Sequence, residues 1–484
     1  MNTKSTLSFY TTQNYIDTDF FVNTITRENG NNTLVTKNLS IYDIEELAFN
    51  LNYKLDIDDK GHSIEFEINH SKSKSPQSDF MTETIDPESK IYNYTNAISN
   101  NSRSLLFNID YAKPLKKGTL ELGIEARNQK YYNQIITDQE IEIGNTSNTS
   151  AIGNSRFNYD REIYSAYINL NKEYKKLGIQ AGVRFEHFTV DGHFLNTELT
   201  DKEIYTDAIF SIYPSEFLTY QLSENDEIQF GYSRRVDRPG INQVTPIQEW
   251  TSPLTISVGN RTLAPQFTNS LEVNYTKGNV TLGGGYRKTT DKIGRIINKD
   301  PQHIDRQILS YENYDTSDSY GIEISGSYKP KKWWTLRPSS SLYIQESIGF
   351  INNQRESIRN ALFRARISNR FNASKKLSFQ LSGSYKGKSE NVQFKVNPYF
   401  LVNASARWSI LKGKGAINLR VTDIFDNFKL AFSSSNPFPQ TGSFTLEYSS
   451  IYLGFSYNFG SGKNKYRDRK YRDDNETRGS GGVL

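Results

Sequence analysis

The sequence predicts an all-β protein, a large antiparallel up-and-down transmembrane β-barrel, and three observations support that prediction. Apolar residues alternate with polar or small residues along many short segments, and short polar connections alternate with long ones. Aromatic residues make up 13% of the 484 residues, while the mean hydropathy is only −0.66. No apolar run approaches the roughly 20 residues that a membrane-spanning helix needs, so strands must make any crossing of a bilayer.

The alternation is clearest in SIYLGFSYNFG, at residues 450–460. Successive side chains of a strand point to opposite faces, which puts Ile451, Leu453, Phe455 and Phe459 on one apolar face. A helix repeats every 3.6 residues and would not give this pattern. Counting similar segments gives about nineteen strands. They include LAFNLNYKL, SIEFEINH, SLLFNIDYA, TLELGIEAR, YSAYINLN, GIQAGVRFE, KLSFQLSGSY and FLVNASARWSI.

The connections between these segments alternate in length. Short polar turns are predicted at residues 58–61, 113–118, 171–178, 223–227, 276–279, 329–334, 372–376 and 411–415. Long polar loops are predicted at residues 73–101, 130–160, 189–204, 236–266, 288–318, 347–359, 388–397 and 424–446. Strict alternation places all the short turns at one end of the sheet, as in barrels with tight periplasmic turns and long extracellular loops. A soluble β-rich protein such as a β-solenoid is the alternative.

The two faces of the predicted strands differ in charge. We expect the apolar face to contact lipid and the charged face to line a lumen, and we expect the wall to close because an unpaired edge in hydrocarbon is costly. Tyr and Trp near strand ends should form an aromatic girdle. The charged face carries Glu65, Glu67, Glu121, Glu125, Arg127, Arg184, Glu186, Arg235, Arg287, Glu323, Arg364, Arg366, Arg407 and Arg420; the girdle candidates are Tyr53, Tyr111, Tyr174, Tyr275, Tyr328, Trp333 and Trp334.

Composition excludes several other classes of protein. The chain has no cysteine, so it has neither a disulfide framework nor a thiolate metal site. The net charge of +4 is small and spread along the chain, and we expect no nucleic-acid partner. The first twenty residues lack the apolar segment of a signal peptide. Either the protein stays inside the cell or this sequence lacks the beginning of a longer one.

A resemblance to a known family is found in GYSRRVDRPGINQVTPIQEW and the following SVGNRTLAPQFTNSLEVNYTKGNVTLGGGYRK. These segments resemble the mid-barrel signature of TonB-dependent outer-membrane receptors, in which a strand ending in Tyr-Ser-Arg and an Arg-Pro pair leads into a long loop. A Gly-Asn-Pro-x-Leu-x-Pro-Glu-like segment then opens the next strand; Thr262 and Gln266 stand here where Pro and Glu are more usual. The final segments NLRVTDIFDN and IYLGFSYNFG are also similar to the family. The matching residues are Tyr232, Ser233, Arg234, Arg238, Pro239, Gly259, Asn260, Leu263, Pro265 and Glu272.

The resemblance covers nearly all of residues 1–460 and implies a 22-stranded barrel with a separate N-terminal plug domain folded inside it. On this interpretation the plug, the first strands and the segment that contacts a TonB-like energy-coupling protein are missing from the chain. The plug would come in cis or from a separate chain. Residues 461–484 combine mixed charge with glycine and no apolar period, which predicts a disordered periplasmic tail.

No catalytic or metal-binding motif is present, and we expect neither enzyme activity nor a cofactor. His187 and His193 are close in sequence but lack the carboxylate spacing of a metal site. GGGYRK, at residues 283–288, lacks the helix and the Lys-Ser/Thr pair of a phosphate loop. Arg364, Arg366 and Arg370 share the polar face, and we expect them to pair with lumen carboxylates or with a plug.

Binding and transport are therefore the expected activities. We expect the chain to be an outer-membrane receptor barrel for energy-coupled uptake of a scarce nutrient such as a siderophore, a glycan or a peptide. A plug-free passive porin, a lipid-type transporter and a barrel-based surface adhesin are the alternatives. Ligands arrive from outside, so the best candidates for ligand contacts lie in the loop at 236–266. They are Arg238, Gln243, Gln248 and Trp250.

Overall fold

The computed structural model describes residues 3–29, 32–86, 90–143, 146–196, 202–252, 255–302, 306–351, 354–445, 449–458 and 476–477. Phe459 and nearly all of the predicted tail lie outside the described residues. The first half of the fold comprises β1 (Lys4–Asn29), β2 (Asn32–Asp56), β3 (Ser63–Asp86), β4 (Lys90–Leu115), β5 (Gly118–Ile143), β6 (Thr146–Tyr174), β7 (Leu177–Asn196), β8 (Lys202–Ser223), β9 (Asp226–Pro239), the short helix α1 (Ile241–Val244), β10 (Glu249–Ser252), β11 (Thr255–Ser257), β12 (Gln266–Lys277) and β13 (Val280–Lys299).

The second half comprises shorter elements as well as long strands. They are β14 (Gln307–Gly326), β15 (Tyr328–Lys331), β16 (Trp334–Ile351), β17 (Gln354–Asn372), β18 (Leu377–Lys386), β19 (Ser389–Glu390), β20 (Phe394–Val396), β21 (Tyr399–Ile410), a 3₁₀ turn (Leu411–Gly413), β22 (Gly415–Thr422), β23 (Lys429–Ser434), β24 (Gln440–Thr445), β25 (Ser450–Tyr457) and β26 (Glu476–Thr477). Among the described residues, no helix is long and apolar enough to cross a membrane.

In the described residues one sheet of 22 strands forms the wall of the molecule, whereas the alternation predicts a sheet of about nineteen. Four of its strands, β10, β11, β15 and β26, are short additions, and the other eighteen form an antiparallel up-and-down meander in chain order. In the described part of the chain, ladders join neighbours from β1 to β25 and none joins β25 back to β1. Closure of the wall between these two strands, which we expected, is therefore not seen there. A separate sheet of four strands contains β19, β20, β23 and β24.

The outer surface of the wall is apolar. Pairing places Leu51 opposite Ile68 and Ile68 opposite Phe107, and all three side chains are exposed. On the last strands, Leu419 pairs with Leu453, which is 72% exposed, and Phe455 on the same face is 65% exposed. A row of exposed apolar side chains that runs continuously across paired strands needs an apolar solvent, since monomeric soluble proteins rarely expose so large an apolar area. Several of the girdle candidates are also exposed at the short-turn end, namely Tyr174, Tyr328 and Trp333.

The strands are much longer than a bilayer requires. β2 to β6 have 24 to 29 residues each, whereas about 9 to 11 residues suffice for a tilted strand to cross the hydrocarbon. The wall therefore continues well beyond the bilayer at the end opposite the short turns. The predictions of loops at 73–101, 130–160, 189–204, 288–318 and 347–359 are accordingly wrong, because paired strands make up most of these segments. Residues 236–266, 388–397 and 424–446 do contain irregular connections.

Part of the wall folds inward in its outer half. The pairing of β8 with β9 ends at Ser215 and Ser233, although both strands continue. The pairing of β14 with β16 ends similarly at Thr316 and Ile348. Beyond these points β9, β12, β13 and β14 remain paired with one another, and their outer ends are buried. The buried side chains there include Val236, Arg238, Ile296, Ile297, Leu309 and Tyr314.

Candidate functional site

The connection between β9 and β12, residues 240–265, folds into the outer part of the lumen, and we call it the capping loop. Its apolar residues Val244, Ile247 and Leu263 are buried and belong to the larger hydrophobic cluster of the protein. The other members of that cluster come from inward-facing positions of β4 to β7, and Ile293 and Tyr311 pack against it from β13 and β14. The capping loop thus joins two separate parts of the wall across the interior.

The sharp turns of the capping loop depend on the motif residues. Gly259 donates its N–H to the carbonyl of Thr245 at 2.8 Å, and a Cβ at Gly259 would lie only 2.6 Å from that oxygen. The neighbouring Asn260 donates its N–H to the carbonyl of Gln243 at 2.6 Å and its side-chain amide to the carbonyl of Tyr311 at 2.9 Å. No side chain larger than hydrogen fits at Gly259, so this glycine allows the two halves of the loop to meet.

Two positions at which the sequence departs from the family pattern also have defined contacts. Gln266 donates to the carboxylate of Asp237 at 2.9 Å and accepts from the backbone N–H of Ile293 at 2.9 Å, which links β9, β12 and β13. Thr262 donates its backbone N–H and its hydroxyl to the side-chain oxygen of Asn260. These contacts close the loop without the more usual Pro and Glu.

Arg238 lies at the entrance to the capping loop and is 1% exposed. Its guanidinium pairs with the carboxylate of Glu186 on β7 and lies 4.9 Å from the centroid of the Phe188 ring. Arg184 contacts the same Glu186 at 3.2 Å and also contacts Glu125 at 3.6 Å. Arg127 completes the series with a 3.2 Å contact to Glu125. The capping loop is thereby attached to a line of alternating charges on the inner face of β5 and β7.

Trp250 on β10 attaches the capping loop to another part of the wall. Its ring stacks on Tyr94 of β4, with centroids 5.9 Å apart, and the Arg306 guanidinium lies 4.9 Å from the Trp250 centroid. The neighbouring Glu249 lies in the loop, outside the membrane-spanning strands. Burial and the nearby carboxylate of Asp79 raise the pKa of Glu249, Arg295 lowers it, and together they bring it to about 7.

A smaller layer lies beside the capping loop. Ile297 and Leu309, at the inward-folded ends of β13 and β14, pack with Phe394 and Phe432 of the four-stranded sheet. The side-chain amide of Gln393 accepts from the N–H of Ile297 at 2.6 Å and donates to its carbonyl at 2.7 Å. It thus makes the pair of hydrogen bonds that a neighbouring strand would make. Three connections of the long-loop end therefore pack together over the interior rather than extending separately into solvent.

The lumen below these connections has an uneven distribution of charge. Acidic residues on the inner face of β3 and β5 accept hydrogen bonds from neighbouring amides: Glu67 accepts from Asn50 at 2.9 Å, and Glu121 accepts from Asn169 at 2.8 Å. On β16 to β22 the inner face is cationic, and in the described ranges these cations have no carboxylate partner. They are Arg337, Arg364, Arg366, Arg370, Lys386, Arg407 and Arg420. The predicted pairing of Arg364, Arg366 and Arg370 with lumen carboxylates is thus not seen there.

A cavity of about 610 Å³ lies against this cationic face. Arg364, Arg366 and Lys386 line it together with Glu323 and Tyr399, and serines supply further hydroxyl groups. Like charges that share one cavity repel each other, so an anion there would be stabilised. This cavity was not predicted as a site, although the arginine pattern of ALFRARISNR indicated the polar ladder that forms part of it.

The structure distributes the predicted residues among different roles. Arg238 and Gln243 are buried within the capping loop and its wall contacts, Trp250 is half-buried, and Gln248 is exposed. Their role in ligand contact stays a prediction. Among the motif residues, Tyr232 donates to Asn269 at 3.1 Å, and Arg234 lies over the Phe267 ring. Pro239, Leu263 and Pro265 are buried.

The described ranges contain no group of three or more His, Asp or Glu side chains placed to hold a metal ion. His193 contacts Asp191 at 3.2 Å, and His187 pairs across strands with Tyr164 and Phe210 instead.

An apolar outer surface, a polar interior and tight turns at one end together define an outer-membrane β-barrel. The family described as "Outer membrane protein beta-barrel family" matches residues 55–457, and the chain belongs to this family. It is located in the outer membrane of a Gram-negative envelope. No curated protein sequence matches the chain.

Solved structures with the same fold include receptors and a transporter. The siderophore receptor PiuA from Acinetobacter baumannii is 14% identical with a TM-score of 0.59, over 88% of this chain and 71% of that one. The copper transporter OprC is 11% identical with a TM-score of 0.55, over 94% and 80%. The ferric yersiniabactin uptake receptor FyuA from Yersinia pestis is 13% identical with a TM-score of 0.50, over 94% and 78%. At these identities the likeness shows the fold alone.

Proposed function

We propose that this chain is the barrel of an outer-membrane receptor that imports a scarce nutrient with energy supplied through a TonB-like coupling protein. A plug domain, in cis or from a separate chain, would occupy the lumen and be moved by that coupling protein. The proposal agrees with the resemblance of residues 232–272 to the receptor signature. It also agrees with the functions of the structural neighbours, which are a siderophore receptor, a ferric yersiniabactin uptake receptor and a copper transporter.

One observation carries the proposal, namely the packing of the capping loop across the outer lumen. Val244, Ile247 and Leu263 bury apolar surface against inward-facing residues of β4 to β7, while Arg238 adds a buried ion pair. A passive porin needs a permanently open aqueous path, and a loop held in this way obstructs such a path. A receptor that binds its ligand before it opens is compatible with an obstructed mouth.

The lumen chemistry favours an anionic nutrient. The cationic face of β16 to β22 lines a cavity large enough for a small ligand, and Arg364 and Arg366 carry planar guanidinium groups that recognise carboxylates in a bidentate manner. Carboxylate-bearing or catecholate chelates of a metal ion are therefore the preferred candidates among siderophores, glycans and peptides. The capping loop would provide the first contact, with the exposed Gln248 as a direct ligand candidate.

Uptake by cells of the source organism tests the proposal. Strains with and without the gene would receive three labelled panels: ferric chelates of anionic siderophores, neutral oligosaccharides and short peptides. Each measurement would be repeated after treatment with a protonophore and in a strain without the coupling protein. We expect saturable uptake of an anionic chelate that requires the gene, the proton gradient and the coupling protein.

A different dependence would contradict the proposal. Uptake that increases linearly with concentration and persists with the protonophore would identify a passive pore. Gene-dependent attachment of cells to surfaces, with no uptake of the labelled chelates, oligosaccharides or peptides, would identify an adhesin. A strain that carries Arg364→Gln and Arg366→Gln provides the matched control for substrate charge, because it should lose uptake of the anionic chelate while the barrel still assembles.

A further inference from the structure

The lipid-facing surface between β13 and β21 contains a concave apolar groove of about 670 Å³. Its floor consists of small side chains and its sides of larger apolar ones. The floor is formed by Ser340, Ala365 and Gly383, and the sides by Val280, Ile324, Ile367, Tyr385 and Phe400. The five residues of the sides are exposed or partly exposed side chains of the outer surface, so the groove is open to the bilayer.

Strand register shows why a groove forms here. Ile324 pairs with Ser340, Ser340 with Ala365, Ala365 with Tyr385, and Tyr385 with Phe400. The row therefore passes from a large residue to two small ones and back to two large ones. Elsewhere on the outer surface, rows such as that of Leu51, Ile68 and Phe107 have no comparable pair of small residues.

The turns at the end of these same strands are cationic. Residues 327–334, 372–377 and 410–415 contain no Asp or Glu. Their lysines are all exposed: Lys329, Lys331, Lys332, Lys375, Lys376, Lys412 and Lys414. The turn between β8 and β9, SENDE, is acidic by contrast. Trp333 and Trp334 lie between the lysines and the groove, with ring centroids 6.3 Å apart, where an aromatic pair marks the membrane interface.

The distance between groove and lysines matches one leaflet. Six residues separate Ser340 from Trp334 along β16. At about 3.3 Å per residue and a tilt of about 40°, this corresponds to roughly 15 Å along the membrane normal. One leaflet contributes about half of the 30 Å hydrocarbon thickness. A molecule with its head group at the lysine turns would therefore have its hydrocarbon chains at the depth of the groove.

We propose that this surface binds an anionic diacyl phospholipid of the periplasmic leaflet. The acyl chains occupy the groove, and the head-group phosphate lies among the lysines of the three turns. Charge complementarity favours an anionic lipid over a zwitterionic one, because each lysine near the surface attracts anionic lipid by an amount that corresponds to about fivefold in affinity. This inference requires the outer-membrane location of the chain and is independent of its proposed role in nutrient uptake.

Native mass spectrometry of the purified full chain in detergent tests the proposal. After delipidation, the protein would be titrated with dioleoyl phosphatidylglycerol and, separately, with dioleoyl phosphatidylcholine. One test variant removes charge at the turn, Lys331→Gln with Lys332→Gln, and the other fills the groove, Gly383→Leu. A Cβ at Gly383 would lie 3.6 Å from the Ile367 methyl, which is ordinary contact. Ala365→Leu replaces Gly383→Leu if the latter does not fold, as judged by heat-modifiable migration.

Matched controls lie on the other side of the barrel. Lys116→Gln with Lys117→Gln removes two exposed lysines from the turn between β4 and β5, and Ala166→Leu enlarges an exposed lipid-facing residue of β6. We expect the wild type and both controls to retain phosphatidylglycerol in preference to phosphatidylcholine. The lysine variant should lose affinity by about 25-fold, from two lysines at about fivefold each. The groove variant should retain less lipid than the Ala166→Leu control.

Three outcomes would overturn the proposal. Equal retention of the two lipids would show that charge does not select the ligand. Equal retention by Gly383→Leu and Ala166→Leu would show that the lysines adsorb head groups without any use of the groove. A wild type that retains neither lipid and forms stable dimers, which Gly383→Leu dissociates, would show that a second copy of the chain covers this surface.

Discussion

Trp250 of the capping loop stacks on Tyr94 of the wall, with ring centroids 5.9 Å apart and an angle of 15° between the planes. The two residues are far apart in sequence and belong to different structural units, so their contact reports directly on whether the capping loop is closed. Asn96, next to Tyr94 on the same face, donates to the carbonyl of Trp250 at 3.5 Å. Sequence reasoning predicted Trp250 as a ligand contact, whereas the structure shows it in contact with the wall.

Replacing Trp250 with Leu should loosen the capping loop. The change removes the aromatic pair, which contributes about 0.5 to 1.5 kcal/mol beyond area burial, and the interaction with Arg306. Hydrogen exchange at residues 249–257 should become faster while exchange in β16 to β22 stays the same. Trp408→Leu, at an exposed position on the lipid face, is the control. Unchanged exchange in the loop would show that the stacking does not hold it closed.

Replacing Arg238 with Met should have a larger effect on the same loop. Glu186 would lose a buried partner, and breaking a buried ion pair from one side typically costs about 3 to 5 kcal/mol. Limited proteolysis within residues 240–265 should become much faster, and Gln248→Ala, an exposed position of the same loop, should cleave like the wild type. Adding Glu186→Gln to Arg238→Met should restore part of the protection. A double variant that is no more protected than Arg238→Met would contradict the ion-pair explanation.

The closed position of the capping loop should depend on pH through Glu249. Its pKa in the folded protein is about 7, above its ordinary value of 4.5, because of burial and the nearby Asp79. The folded state therefore binds the proton more tightly than the open state, and closure weakens as pH rises from about 4.5 to 7, by at most about 3 kcal/mol. Below this range Glu249 is protonated in both the closed and the open state, so closure is not weakened.

A spin label can measure this dependence. Because the chain has no cysteine, a nitroxide on Gln248→Cys reports on the capping loop alone. Its mobility should increase between pH 5 and pH 8 in the wild type and stay nearly constant in Glu249→Gln. Glu224→Gln, in the exposed turn between β8 and β9, should behave like the wild type. Equal pH profiles for Glu249→Gln and the wild type would exclude Glu249 as the titrating group.

The cationic face of the lumen should make folding sensitive to salt. Arg366 shares its cavity with Arg364 and Lys386. At aqueous dielectric, removal of one like charge several ångströms from the others should relieve about 0.5 kcal/mol of repulsion at low ionic strength. Arg366→Gln should therefore raise the urea midpoint in 10 mM salt and have little effect in 500 mM salt, and Lys375→Gln in a solvated turn should change neither. A lower midpoint for Arg366→Gln would mean that this arginine has a stabilising partner in the folded protein.

The wall was predictable from sequence because it depends on a period of two residues, which is a local signal. Leu453 and Phe455 could be assigned to the lipid face without knowledge of any partner strand. The outer extensions of the strands were missed because segments such as 73–101 contain mainly polar residues. Their strands form by pairing with a neighbour. The outer face there lies beyond the bilayer and only scattered inner positions such as Ile98 are apolar, so no sustained hydrophobic alternation marks them.

The candidate site was less predictable because it depends on long-range contacts. Gly259 and Asn260 were found through the family signature. The reason these residue types are required is the close approach of their backbone to Gln243 and Thr245, and only the folded loop shows it. The partner of Arg238 is Glu186, two strands away, and sequence offers no rule that pairs them. Phe230, Val236 and Arg238 lie on the same face of β9. Phe230 is exposed on the lipid side, but β9 then folds inward, so Val236 and Arg238 are buried in protein.

The assignment of lipid to one side of the wall can be tested on β25. Leu453 faces outward and is 72% exposed, while Ser456 has the opposite parity and donates to the carbonyl of Ala416. An arginine on the lipid face near the middle of the bilayer costs about 2 to 4 kcal/mol, whereas arginines already line the lumen at neighbouring strands. Leu453→Arg should therefore lower the free energy of unfolding in lipid vesicles by about that amount, and Ser456→Arg should lower it much less. Urea titration in phosphatidylcholine vesicles measures both variants, and equal losses, or a greater loss for Ser456→Arg, would show that the faces have been assigned the wrong way round.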